Sequence, residues 1–164
     1  MEKISSYDLP RTRVYITAIA IGGIFGIVNT TLDLDFTPKA GLFLQLVIAI
    51  VSVVVLHEGA HGLLAVFFGH KPIFGIKPPL VYITFADKIP RGQFIAISLA
   101  PLVFLDFIFG LMYLSGVLKL FFNFCITINT LGATGDVWIT AKLIGVDRGT
   151  FIQDTKTGVE VWRA

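Results

Sequence analysis

The strongest constraint on what this chain can become is the run from Ala40 to Gly69, whose only charged side chain is Glu58. About 20 consecutive apolar residues suffice to cross the hydrocarbon core of a bilayer as a helix. This run is longer than that, so it is expected to tilt or to emerge on the far side. Three more apolar runs follow the same rule, Val14 to Leu32, Gln93 to Ser115 and Leu120 to Gly145, each separated by a short polar or proline-containing break. The chain is 55% hydrophobic and 15% charged. A soluble domain carries about 25% charged residues, and this chain lacks the polar side chains to cover a surface in water.

The expectation is therefore an all-α polytopic membrane protein with about four transmembrane helices, at residues 14–32, 40–69, 93–115 and 120–145 of one domain covering 1–164. The first run follows Lys3, Arg11 and Arg13. It is read as a retained helix, because it is long and lacks an Ala-x-Ala-like cleavage site. Gly22, Gly23 and Gly26 would give it either a close packing face or simple flexibility. Between the second and third runs, Leu80 to Phe85 is rich in β-branched and aromatic residues, and Ile73 to Ile76 is a weaker partner. A small β-hairpin is expected there, with a short strand-like tail after Val146. Pro101 should kink the third helix.

Lysine and arginine concentrate before the first run, between the second and third, and after the fourth. By the positive-inside rule both termini and the hairpin would face the cytoplasm, in a multi-pass protein of a prokaryotic plasma membrane. A net charge of +2 gives no reason to expect nucleic acid as a partner. Cys125 stands alone in an apolar run and reads as a buried core residue.

His57-Glu58-Gly59-Ala60-His61 is an HExxH pattern inside the longest run. Positions i and i+4 share a helix face, so both imidazoles can grip one metal ion while Glu58 stands beside it as a general base. The pattern is short enough to recur by chance on soluble helices, where it is an ordinary polar face. Inside a membrane segment, ionisable side chains are expensive and point to function. Zn2+ suits two histidines and a carboxylate, and it activates water for hydrolysis.

The third ligand can be sought by depth. His57 lies about 16 residues, roughly 24 Å, along the second run, and Asp136 lies about as far along the fourth, which runs the same way. Asp106, on the oppositely directed third run, falls near the other face and is assigned a helix–helix hydrogen bond. The alternative for Asp136 is an interfacial carboxylate paired with Lys142 or Arg148. Asn129, two turns from Asp136, would touch a substrate backbone or a neighbouring helix, and Tyr82 on the expected strand is a candidate substrate contact. His70 faces elsewhere on an extended helix and is not counted as a ligand.

With Ser98-Leu99-Ala100-Pro101 opening the third run and Gly135-Asp136 on the last, the pattern resembles the small zincin-type membrane peptidases, a group similar to site-2 proteases in its metal core. The resemblance spans about Leu42 to Trp162. It implies a zinc-dependent hydrolase that cuts a peptide bond in a membrane or membrane-proximal protein. In site-2 proteases the third ligand is an Asp in an Asn-Pro-Asp-Gly or Leu-Asp-Gly context, whereas Asp136 stands between Gly135 and Val137. A zinc hydrolase acting on a lipid or another amide would use the same residues. The alternative from a different class is a non-catalytic membrane adaptor or transporter subunit with a structural or vestigial metal site.

Overall fold

The computed structural model describes residues 1–31, 41–77, 80–155 and 157–164. The break expected at Asp33 to Lys39 lies outside them. The chain runs β1 (Glu2–Asp8), α1 (Arg11–Thr31), α2 (Leu42–Phe67), β2 (Pro72–Lys77), β3 (Leu80–Phe85), β4 (Ile89–Pro90) and α3 (Arg91–Ala100). A π-helical turn at Pro101–Leu105 leads into α4 (Asp106–Leu114), followed by α5 (Lys119–Gly132), α6 (Thr134–Ile144), β5 (Thr150–Asp154) and β6 (Gly158–Arg163).

The all-α, four-span expectation is overturned. The polar N-terminal segment is not a lead-in to a helix but a strand: β1 pairs antiparallel with β6, and the sheet continues as β1-β6-β5-β4. A separate two-stranded sheet, β2-β3, packs against α2. Among the described residues only Leu42–Phe67 and Arg91–Leu114 are long and apolar enough to cross a membrane. The run from Leu120 to Gly145 is not one helix, because the chain breaks at Ala133 into α5 of 14 residues and α6 of 11. At 1.5 Å per residue neither reaches across a hydrocarbon core of about 30 Å.

Proline shapes the third run. Pro101 lacks an amide proton, so the helix cannot continue its i→i−4 ladder there, and it relaxes into the π-helical turn before α4 resumes. Two cores form on either side of this turn. One joins α2, α4 and α5 through Ala49, Val53, Leu105, Phe109 and Cys125. The other joins the sheet to α3 and α6 through Ile89, Ile97, Leu143, Ile152 and Val161. Arg91 clamps the second core, donating from Nε to the Leu143 carbonyl and from a terminal nitrogen to the Ile144 carbonyl, both at 2.7 Å. These are carbonyls at the C-terminal end of α6 without i+4 partners, and a cation there is doubly favourable.

Candidate metal centre

The three converging side chains come from two elements. His57 and His61 lie one turn apart on α2, and Asp136 lies in the first turn of α6. One donor atom from each lies within 4.8 Å of the other two. His57 Nε2 is 3.3 Å and His61 Nε2 3.7 Å from Asp136 Oδ2. Tetrahedral ligands about 2.0–2.1 Å from a zinc ion are themselves roughly 3.3 Å apart, so the spacing fits.

The hydrogen bonds behind the imidazoles decide which nitrogens are free. Asn129, fully buried on α5, donates from Nδ2 to Asp106 Oδ1 at 2.8 Å and to the Pro101 carbonyl at 3.0 Å. Both partners are acceptors, which fixes the amide so that its Oδ1 faces His57 Nδ1 at 2.9 Å. His57 Nδ1 must therefore carry the proton. His61 Nδ1 stands 2.8 Å from the Ile97 carbonyl and must carry one too. In neutral imidazoles both Nε2 atoms then present lone pairs, and they converge on a carboxylate oxygen. Three acceptors facing one point repel unless a cation or a proton lies among them. The donor set fits a metal ion, because a metal-bound histidine typically gives its other nitrogen's proton to such a partner.

Glu58 is not in this cluster. Its Oε2 accepts from the Ile83 amide of β3 at 2.8 Å, within electrostatic reach of both histidines and of Asp136. The approach is close because Gly62 has no side chain: a methyl there would sit 3.0 Å from Ile83 Cδ1 and 3.4 Å from Phe74. Tyr82 lies on the other face of the hairpin, where its ring covers Gly75. The structure thus does not bring Tyr82 to the cluster.

Asn129 is placed behind His57 rather than on an open surface. Asp106, also outside the cluster, accepts from Asn129 and from Thr130 Oγ1 at 2.9 Å, an α4–α5 link. Asp136 faces the two histidines and not Lys142, whose ammonium lies over the Trp138 ring. His70 binds Gln93 Oε1 at 2.8 Å, away from the cluster. Asp154 on β5, within electrostatic reach of His61, is a carboxylate that no motif marks. Burial pushes its carboxyl above the usual aspartate range. The contributions of Ile97 and Ile83 are main-chain groups, which no side-chain pattern could mark.

A family model described as "Putative zincin peptidase" matches residues 50–151. The chain is also 28% identical over 163 residues to the "Uncharacterized 24.7 kDa protein in gap 5'region" of Pyrococcus woesei, an alignment covering 90% of this chain and 72% of the relative. No solved structure matches.

Proposed function

The chain belongs to the "Putative zincin peptidase" family, and from that premise we propose that it is a zinc-dependent, membrane-embedded peptidase acting on a membrane or membrane-proximal protein. The observation that carries the reading is the convergence of two Nε2 lone pairs and one carboxylate oxygen. His57, His61 and Asp136 would hold the metal. Among the described residues no fourth protein donor joins them, which suits a catalytic site with an open position better than a closed structural one.

Zinc bound there supplies Lewis acidity and brings the pKa of a water near neutrality. The rest of the chemistry belongs to the chain. Glu58 takes a proton from the attacking water and returns it to the leaving amine. Asn129 and the Ile97 carbonyl keep the two imidazoles in the tautomer that offers Nε2. The short β2-β3 sheet beside Glu58 offers main-chain groups to an extended peptide, the usual way a strand is recognised.

Membrane embedding rests on the outer faces of the helices. Only 17% of the apolar window of α2 is buried, and 39% of the window in Arg91–Leu114. The core helix of a soluble protein would be mostly covered. Phe43, Leu63, Phe67, Phe107 and Leu114 point outward instead, an apolar surface that lipid would cover.

The test uses full-length protein in detergent micelles, with zinc measured by elemental analysis and hydrolysis by an internally quenched peptide library. Glu58→Gln should keep wild-type zinc and lose about 10²–10⁴-fold in rate. His57→Ala and Asp136→Ala should lose both. Hydrolysis that survives Glu58→Gln, or a wild type without zinc after metal-replete preparation, would sink the proposal.

A further inference from the structure

In a regular helix the carbonyl of residue 97 would accept from the amide of residue 101. Residue 101 is proline and has no such proton. The carbonyl left without its i+4 donor, Ile97 O, is the one that accepts from His61 Nδ1 at 2.8 Å. A second carbonyl at the same irregularity, that of Pro101 itself at the start of the π-helical turn, accepts from Asn129 Nδ2, and Asn129 holds His57. Both imidazoles are thus oriented by main-chain oxygens at one break in the α3–α4 helix.

We propose that Pro101 is a positioning residue for the metal ligands: by withholding an amide from Ile97 it reserves that carbonyl for His61, and through the turn it begins it presents its own carbonyl to the Asn129–His57 pair. The inference rests on the metal reading above and adds to it the reason the helix is broken at this place. An alanine at 101 would bring back the missing amide. That amide would compete with His61 for the Ile97 oxygen, free the ring to turn, and draw the π-helical turn toward regular α geometry. Buried carbonyls are seldom left without a donor, so an available amide would be used.

The experiment is a zinc titration of the full chain in detergent, wild type beside Pro101→Ala, with competition by a chelator to obtain Kd and thermal unfolding of apo and zinc-loaded forms. Pro101→Ala should bind zinc roughly 10–100-fold more weakly, the range typical for loss of a partner behind a metal ligand. The rise in Tm that zinc produces should shrink accordingly. With cobalt in place of zinc, the visible spectrum should change as one imidazole loses its orientation. A proline that matters only for packing would lower the apo and zinc-loaded Tm together and leave Kd within twofold of wild type; that result would overturn the proposal.

If Pro101→Ala does not fold, histidine-selective nitrogen NMR of the wild-type apoprotein decides instead. The proposal requires the proton of His61 on Nδ1, and finding it on Nε2 would overturn it. A wild type that binds no zinc is a different outcome, since it removes the metal reading itself before Pro101 is asked about.

Discussion

The two halves of the molecule bury their cores alike but present different outer faces. On one side of the π-helical turn, α2, α4 and α5 bury Ala49, Val53, Leu105, Phe109 and Cys125, yet their outer faces remain apolar, with Phe107 67% and Leu114 77% exposed. On the other side, the sheet buries Ile89, Ile152 and Val161 completely and its rim is ionic, with Lys3 2.6 Å from Glu160 and Arg163 2.8 Å from Asp147. The cluster of His57, His61 and Asp136 lies on the seam. His57 is tied through Asn129 and Asp106 to the first half, and His61 through Ile97 to the second. Within the second half, Arg91 ties the start of α3 to the end of α6, the helix that carries Asp136.

If the halves differ in surroundings, equivalent truncations should differ in effect. Leu143→Ala in the sheet-side core should destabilise by about 3 kcal/mol, the transfer and cavity penalty of a buried leucine. Leu105→Ala in the helical half should lose less, because lipid is as apolar as the core it leaves and only packing is forfeited. Denaturant unfolding in micelles would measure both, and equal losses would erase the distinction. Next in size is Arg91→Ala, expected to remove about 1–2 kcal/mol by stripping two carbonyls at the end of α6 of a charged donor. Its zinc affinity should fall as well, because α6 carries Asp136; unchanged affinity would show that the placement of Asp136 does not need the clamp.

The smallest expected effect is a pH dependence. Burial raises the folded-state pKa of Asp154, so the folded chain holds that proton more tightly than the unfolded chain does. Its contribution is fully present below the unfolded value, about 3.9, and is lost as pH rises through the folded value. Stability relative to Asp154→Asn should therefore decline as pH climbs from about 4, and parallel curves would show that the carboxylate is not desolvated.

What could be read in advance follows from how local each signal is. HExxH is legible because three residues within five positions of one helix decide it. The third side chain that the structure brings to this pair, Asp136, was singled out by counting along a straight helix of 120–145, although the helix breaks at Ala133; a cluster at one depth survives a bend that comes only three residues before the acid. The sheet was illegible for the opposite reason. Glu2–Asp8 has no apolar alternation of its own and becomes a strand only because β6, at the far end of the chain, offers it an edge. Asn129 could not be placed by periodicity, since its partners lie on α2 and at the π-helical turn. Pro101 did mark a kink, but which carbonyl it releases depends on α2 lying opposite.

The bond between Glu58 and the Ile83 amide has a consequence for the order of events. Edges with free amides recruit other chains, and this one is plugged at Ile83. Any peptide that pairs with it at Ile83 must first unhook Glu58. Under the proposed function, arrival of a strand and release of Glu58 would then be a single event, so the carboxylate would be freed only when a peptide is in place.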